Sequence, residues 1–294
     1  QGIAMLLERL DTPITVLNVS QYGVNVDALQ HQMREAYSEF EWDSYLLQQN
    51  KISLIKEVVP QESLARVSNE VWYDIYTGVI QNPELYALFP SLSASDKSRI
   101  EALVPTRLRC MSEYSMRWNG KWDIERIPSS LVSQTKALIA SDGDIDYRQS
   151  RRKFKELPEE LFDSNLRALL VGVADMVRDT KHSVQRLNVS VHNTVVYCHP
   201  QQLTTNSPEG IHQDGVEFIV SALVIERSNI SGGKSIIYGR DKCTKLFQAE
   251  LQAGQGIFQA DLGTELWHEV TPITAVDPTR SGYRSTIGFD VTLA

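Results

Sequence analysis

The sequence has few cysteines and no paired cysteine motif. Cys110, Cys198 and Cys243 are the only three among 294 residues, and none forms a Cys-x-x-Cys pair. Disulfide frameworks use even, closely spaced sets of cysteines, and structural zinc sites usually use such pairs, so the sequence disfavours both. The three isolated thiols predict a protein of a reducing compartment, and we expect it in the cytoplasm.

Long apolar runs and an excess of basic residues are also missing. No stretch approaches the roughly 18 apolar residues of a membrane span. The chain has 29 Lys and Arg against 37 Asp and Glu, a net charge of -8. The compact basic cluster at residues 151–153 predicts a solvated helix face. We therefore expect neither nucleic acid nor a membrane as partner. The first residue is Gln rather than Met, which suggests a trimmed or processed N-terminus.

The composition is that of an ordinary soluble protein, with 42% hydrophobic and 22% charged residues. Residues 1–105 read as mainly helical, because apolar side chains recur at helical spacing in residues 26–33 and 64–79. We expect this region to pack on a core formed by residues 106–294. That core should include one supporting helix near residues 157–180, where an early proline precedes an apolar stripe.

The last third of the chain has the sequence pattern of an antiparallel barrel or jelly roll, in which short strands are separated by Gly, Pro and Asn. A further strand is predicted near residues 107–116. The odd-numbered residues from Leu187 to Tyr197 should share one face, since side chains alternate along a strand. The predicted strands of this part are 187–198, 216–225, 233–238, 256–260 and 283–291.

His212 and Asp214 are two residues apart in a short extended segment, so both side chains can reach one ion. His268 lies far enough downstream to return on a partner strand as a third ligand. Two imidazoles and one carboxylate leave three coordination positions open, which suits an iron that must bind a keto acid and dioxygen. The alternatives are a hydrogen-bonded His212, a His268 held by packing at the barrel rim, and a zinc hydrolase.

Arg284 and Thr286 face the same way on the predicted final strand. A guanidinium presents a planar fork that matches a carboxylate, and a hydroxyl adds a donor, so the pair fits the distal carboxylate of 2-oxoglutarate. Arg280 is the rival for this role, and Arg284 has a surface salt bridge as its alternative. The remaining histidines have no partner at ligand spacing and read as structural: His31, His182, His192 and His199.

Four ordered segments carry a family resemblance: residues 208–216, 227–233 and 268–272, followed by Arg284. Together they resemble the iron(II) and 2-oxoglutarate-dependent dioxygenases that hydroxylate free amino acids, isoleucine hydroxylases among them. The resemblance implies an α+β fold with a double-stranded β-helix core, and Fe(II), 2-oxoglutarate and O2 as cofactor and co-substrates. The longer layout is also similar to fungal enzymes of secondary metabolism that close an aziridine ring on L-valine.

An amino-acid substrate needs partners for its carboxylate and its amine, and Asn193 and Glu217 are the candidates. Ile287 and Phe289 are an odd number of positions away from Arg284, so their side chains should point to the other face of the strand. They either line another wall of the site or fill the core. The expected activity is oxidation of an unactivated C–H bond of a free, aliphatic L-amino acid. The alternatives are a peptide or protein hydroxylase, which needs an open groove, and a barrel without activity that serves as a binding module.

Overall fold

The computed structural model describes residues 14–141, 143–200 and 204–294. Helices dominate the first part of these ranges. They are α1 (Val26–Ala36), α2 (Ser44–Val58), α3 (Gln61–Ala65), α4 (Asn69–Tyr76), α5 (Asn82–Leu88), α6 (Ala94–Glu101) and, further along, α7 (Ser164–Thr180). Short polar side chains determine where most of them begin: Asn25 caps α1, Asp43 caps α2 and Asp163 caps α7 by accepting a backbone N–H of the first turn.

Two helix predictions differ from the structure in their bounds. The apolar series of residues 64–79 is divided between α3 and α4, because Ser68 caps a new helix, and Val79 beyond it is exposed. The helix predicted near residues 157–180 begins only at Ser164, after a 3-10 turn at Glu159–Leu161. The helical residues 26–33 lie within α1, as predicted.

Antiparallel sheets form the rest of the fold. The strands in chain order are β1 (Ile14–Asn18), β2 (Glu41–Trp42), β3 (Arg107–Trp118), β4 (Trp122–Ile127), β5 (Leu138–Ile139), β6 (Arg186–Tyr197), β7 (His212–Gln213), β8 (Phe218–Ser228), β9 (Ile230–Gly232), β10 (Ser235–Tyr238), β11 (Lys245–Ala249), β12 (Gln255–Ala260), β13 (Trp267–Val270), β14 (Ile273–Ala275) and β15 (Tyr283–Leu293). The major sheet has the order β1-β12-β8-β15-β6-β3-β2 with β4 beside β3, and the minor sheet has the order β11-β10-β13-β7-β5. The predicted jelly-roll core with supporting helices is thus confirmed.

The two faces of the major sheet have different surroundings: one packs in the core and the other faces a cavity. Side chains alternate between these faces along β6 and β15. Odd-numbered residues such as Val191 and Phe289 are buried in a core shared with Met33 of α1 and Val173 of α7. Even-numbered residues face the minor sheet across a cavity. The predicted common face of Leu187 and its alternate neighbours is this core face.

A second core joins helices α2 to α6, and it also takes in Tyr147 from the segment before α7. Tyr147 stacks on Tyr76 of α4, with ring centroids 4.6 Å apart. The N-terminal region also contributes β1 and β2 to the major sheet, where they pair with β12 and β3. The division of the chain near residue 105 stays a prediction, and residues 1–13 of that region lie outside the described residues.

The basic cluster at residues 151–153 is not a helix face, so that prediction was wrong. The segment is extended and forms a β-bridge between Arg152 and Val132. Its side chains therefore alternate: Arg151 and Lys153 are exposed, whereas Arg152 is only 6% exposed and lines the cavity between the sheets. The cysteines are free, as expected. Within the described ranges, no helix combines the length and the apolar character that a membrane crossing requires.

Candidate metal centre

The structure brings the three predicted metal ligands together between the two sheets. His212 of β7 is paired directly with His268 of β13, and Asp214 follows two residues after His212. One nitrogen from each imidazole and one Asp214 oxygen lie within 4.8 Å of one another. Asp214 Oδ2 is 3.0 Å from His268 Nε2, and Oδ1 is 3.6 Å from His212 Nε2. The arrangement offers two nitrogens and one carboxylate from one side of a common point.

The tautomer of His212 is fixed by its own loop. Its Nδ1 lies 2.8 Å from the carbonyl oxygen of Gly210. A carbonyl only accepts, so Nδ1 carries the hydrogen and the lone pair of Nε2 is directed at the common point. Gln213 points the other way and donates to the carbonyls of Thr264 and Leu266, which holds the ligand strand in place.

Asp261 connects the two ligand segments from behind. This fully buried carboxylate accepts the backbone N–H groups of Asp214 and Gly215 at 2.9 and 2.7 Å, and its other oxygen lies 3.9 Å from His268 Nδ1. Burial, reinforced by the charge of Asp214, raises the pKa of Asp261 to about 7. At 3.9 Å this carboxylate acts on His268 through its charge rather than through a hydrogen bond.

Two of the three ligands, Asp214 and His212, are in the protonation state that a bound cation needs. Burial alone would raise the pKa of Asp214, but the neighbouring His268, His212 and Arg148 outweigh it and hold that pKa well below its usual range. Burial, together with His268, lowers the pKa of His212, so this ring is neutral near pH 7. Burial would also lower the pKa of His268, but Asp214 and Asp261 outweigh it and raise that pKa. A cation bound at this site would take the place of that proton, as metal binding at histidine requires.

The donor set fits iron(II). His268 Nε2 is buried and lies 3.0 Å from Asp214 Oδ2, so two of the three ligand atoms converge where a cation would lie. Two imidazoles and a carboxylate on one face are the ligand set of non-haem iron oxygenases, which leaves positions for a co-substrate. His212, Asp214 and His268 could therefore hold the iron.

Arg284 lies in the same cavity, and none of the described residues forms an ion pair with it. The side chain is 4% exposed, and its Nε and Nη2 have no hydrogen-bond partner within the described ranges. Burial and the nearby Arg227 lower its pKa to about 10. Thr286, two residues further along β15, lines the same cavity. The rival Arg280 is instead exposed and paired with Asp277. A buried, unpartnered guanidinium fits the distal carboxylate of 2-oxoglutarate.

Four further arginines line this cavity, and sequence reasoning missed all of them: Arg107, Arg109, Arg148 and Arg152. Asp43, the cap of α2, is the partner of the first two, with Oδ2 3.0 Å from Arg107 Nη2 and 3.3 Å from Arg109 Nη1. Burial would raise the pKa of Asp43, but both guanidiniums outweigh it and lower the pKa to about 2. Arg109 also stacks on the Phe154 ring, 3.7 Å from its centroid.

His192, expected to be structural, is part of the cavity wall. Its Nδ1 lies 3.0 Å from Arg109 Nη2 and its Nε2 lies 3.4 Å from Asp290. A guanidinium only donates, so Nδ1 must accept and the Nε2 hydrogen faces Asp290. Arg109, His192 and Asp290 thus form one polar row across three strands of the major sheet.

The four substrate candidates lie elsewhere. Ile287 and Phe289 are buried in the core under α1 and α7. They therefore fill the core and do not line a wall of the site. Asn193 shares that face and donates to Met33. Glu217 lines a neighbouring cavity rather than the metal cavity. The alternation that puts Arg284 and Thr286 toward the metal also turns the odd-numbered residues of β15 away from it.

Some of the missed residues could have been found from the sequence. If Arg284 and Thr286 face the cavity, so must Asp290, by the same period of two. Arg107 and Arg109 likewise alternate on the predicted strand near residues 107–116. Arg148 and Arg152 lie in an irregular segment, where no periodicity indicates which side chains are buried.

The comparisons with known proteins agree with this geometry. Residues 94–290 match the model of the 2OG-Fe dioxygenase family, and the chain belongs to that family. It is therefore an oxidoreductase that uses Fe(II), 2-oxoglutarate and O2. No curated protein matches the sequence.

Solved structures align with the chain at low sequence identity, and the first of them shares its fold. A bsmA homologue from Methylobium petroleophilum PM1 aligns with a TM-score of 0.63 and 16% identity, over 100% of this chain and 94% of that chain. IDO from Bacillus thuringiensis aligns with a TM-score of 0.48 and 14% identity, over 64% and 75%. The Fe(II)/α-ketoglutarate-dependent dioxygenase TqaL aligns with a TM-score of 0.44 and 14% identity, over 65% and 68%.

Proposed function

We propose that the protein oxidises an unactivated C–H bond of a small free amino acid. In this proposal His212, Asp214 and His268 hold Fe(II), while Arg284 with Thr286 receives the distal carboxylate of 2-oxoglutarate. The observation that carries it is the presence of three converging ligands and an unpaired, buried guanidinium in one cavity. Iron(II) with 2-oxoglutarate and O2 supplies the oxidising power for C–H cleavage.

The charges on the cavity wall support a zwitterionic substrate. Arg107 and Arg109 share the single carboxylate of Asp43, and Arg152 has no carboxylate within 4 Å in the described part of the chain. A substrate carboxylate would complete this positive group. Glu209 and Asp290 also line the cavity and supply negative charge for an ammonium group.

The size and remaining lining of the cavity support a small aliphatic side chain. Its volume is about 170 Å³, below the usual range for drug-sized ligands, and 2-oxoglutarate would occupy part of it, which favours a small substrate. Val196, Ala222 and Val270 provide its apolar contacts. Hydroxylation and oxidative C–N ring closure, such as aziridine formation from valine, both fit this substrate class. The residues that hold the amine decide how close it lies to the attacked carbon, and hence which outcome follows.

The test is to load the protein with Fe(II) without oxygen, add 2-oxoglutarate and a panel of free L-amino acids, and then admit O2. Succinate and product mass are followed together, with His212→Ala as the matched control. Succinate with a gain of one oxygen identifies hydroxylation, and succinate with a loss of two hydrogens identifies ring closure or desaturation. If no amino acid stimulates succinate release above the level without substrate, the amino-acid proposal is wrong.

A peptide hydroxylase is the second candidate, and one observation favours it. A neighbouring cavity of about 370 Å³ shares His192, Asp214 and Asp290 with the metal cavity. Leu131 and Leu262 in its lining are 52% and 37% exposed, as at the rim of a groove that accepts a chain. Leu131→Asp should impair turnover of a peptide library and leave oxidation of free amino acids unchanged.

A further inference from the structure

Arg148 is a buried guanidinium that contacts the predicted carboxylate ligand directly. It is 4% exposed, and its Nη1 donates to Asp214 Oδ1 at 3.1 Å. Its Nη2 donates to the carbonyl oxygens of Gln213 and Leu138 at 3.0 and 3.1 Å. Its Nε and Nη2 both donate to the carboxylate of Asp146. One side chain therefore ties the ligand strand β7 to its edge neighbour β5.

The backbone of Arg148 is anchored outside the barrel strands. Arg148 belongs to the 3-10 turn Tyr147–Gln149, and Tyr147 is buried in the helical core of α2 to α6. The carbonyl of Arg148 accepts the backbone N–H of Gln134 at 2.8 Å. The helical core thus anchors the backbone of Arg148, while Asp146, Asp214 and two strand carbonyls fix its guanidinium.

This contact divides the two oxygens of Asp214 between different tasks. Oδ1 is engaged by Arg148, whereas Oδ2 faces His268 Nε2 at 3.0 Å. A carboxylate can also bind a metal through both oxygens, and it would then take a second position of the octahedron. Two imidazoles and a two-oxygen carboxylate would leave two positions, too few for a two-point keto acid and dioxygen.

We propose that Arg148 is a positioning residue that keeps Asp214 a one-oxygen ligand and so preserves the positions needed by 2-oxoglutarate and O2. The inference rests on the proposed iron site, and it concerns the binding of the co-substrate rather than that of the metal. Loss of Arg148 frees Oδ1 and also removes a positive charge beside the metal. These changes weaken 2-oxoglutarate binding but leave the affinity for Fe(II) within a few-fold. Asp214 loses the hydrogen bond that orients it, which weakens Fe(II) binding, but Fe(II) is no longer repelled by the positive charge of Arg148, which strengthens it.

The test uses the full chain with Arg148→Gln and Arg148→Lys, each loaded with Fe(II) under anaerobic conditions and titrated with 2-oxoglutarate. The charge-transfer absorption of the chelated keto acid reports its binding, and a separate titration measures Fe(II) affinity. The glutamine variant should bind 2-oxoglutarate on the order of 10-fold more weakly, with an altered absorption band. The lysine variant should recover part of this loss, since its ammonium can reach Asp214 but cannot bridge the other acceptors.

Arg126→Gln is the matched control, because Arg126 also pairs with carboxylates and a backbone carbonyl but lies outside the cavity lining. Thermal unfolding of each variant establishes that it is folded, and the lysine variant keeps the buried charge if the glutamine variant does not fold. Unchanged 2-oxoglutarate affinity and absorption in the folded variants would overturn the inference. So would an equal loss of Fe(II) and 2-oxoglutarate affinity, which indicates simple support of the ligand strand. A wild-type protein that gives no absorption band with Fe(II) and 2-oxoglutarate would instead disprove the proposed iron site.

Discussion

At the scale of single residues, burial of the Arg284 charge lowers the stability of the folded state and at the same time prepares a binding site. A buried cation without a counterion destabilises a protein, and removal of such a group often stabilises it. The burial that makes Arg284 costly also strengthens its attraction to an incoming carboxylate. Function and stability are therefore opposed at this position.

Arg284→Met should show both sides of this opposition. The affinity for 2-oxoglutarate should fall by about 1.5–3 kcal/mol, the usual worth of hydrogen bonds to charged groups. The melting temperature without 2-oxoglutarate should rise, because an unpaired buried charge is gone. Titration calorimetry and thermal unfolding measure the two effects, and Arg280→Met in the loop before β15 is the control, because that side chain is exposed. A variant that binds 2-oxoglutarate as tightly as the wild type would assign the carboxylate to another residue.

Metal binding gives a second prediction for single residues. A ligand that binds only the folded state stabilises it by about 2.7 kcal/mol at a concentration of 100 times its Kd. Fe(II) under anaerobic conditions should therefore raise the melting temperature of the wild type, and EDTA should reverse the rise. His212→Ala should abolish the effect, whereas the exposed His182→Ala should retain it. Equal stabilisation of both variants would place the metal elsewhere.

At the scale of elements, the turn after β7 depends on Gly215. Its φ is +77°, and a Cβ there would lie 2.3 Å from the carbonyl carbon of Lys136. Since a backbone atom cannot move aside as a side-chain tip can, any larger residue must displace the loop that carries Lys136 or the ligand segment itself. The position of Asp214 follows directly from this close approach.

Gly215→Ala should lower the free energy of unfolding by more than the cost of a left-handed backbone alone, because the added Cβ also meets the Lys136 backbone. It should also weaken Fe(II) binding. Gly263→Ala is a matched control, because its φ is +75° and a Cβ there would meet no atom within 4 Å. The control should cost about 1–2 kcal/mol, the price of the left-handed backbone alone. Urea unfolding of both variants isolates the contribution of the close contact, and equal losses would show that the contact is relieved without cost.

The sequence predicted elements best where periodicity was strong. The bounds of β6 and β15 agree with the predicted strands within two residues, and the convergence of His212, Asp214 and His268 followed from their spacing and order. Arg148 and Arg152 were missed because an irregular segment buries side chains through tertiary contacts that leave no local pattern. Arg107 and Arg109 follow the alternation of β3, but their shared partner, Asp43, could not be foreseen because it lies far away in the chain.

At the scale of the whole molecule, Asp43 joins the helical region to the cavity wall. Its carboxylate caps α2 and accepts from Arg107 and Arg109 of β3. Its pKa is lowered from 3.8 to about 2 in the folded state. The ionised form thus contributes about 2 kcal/mol of stability, fully present above the unfolded pKa near 4 and lost as the pH falls through about 2.

Asp43→Asn should lower the free energy of unfolding by at least about 2 kcal/mol at pH 7, and the difference from wild type should shrink between pH 4 and pH 2. Urea unfolding from pH 7 down to the lowest pH at which both proteins fold measures this. The exposed Asp27→Asn, in the first turn of α1, is the control. A difference that stays constant across the acid range would show that the carboxylate charge is not what stabilises this junction.

Strand β15 has consequences for how this protein can evolve. It pairs with β6 on one side and β8 on the other, and it presents Arg284 and Thr286 to the cavity and Ile287 and Phe289 to the core. An inserted or deleted residue would exchange these two sets, so that charged groups would enter the hydrocarbon interior and apolar ones would meet the co-substrate. Substitution along β15 can therefore alter the chemistry of the cavity without disturbing the core, whereas a change of register cannot.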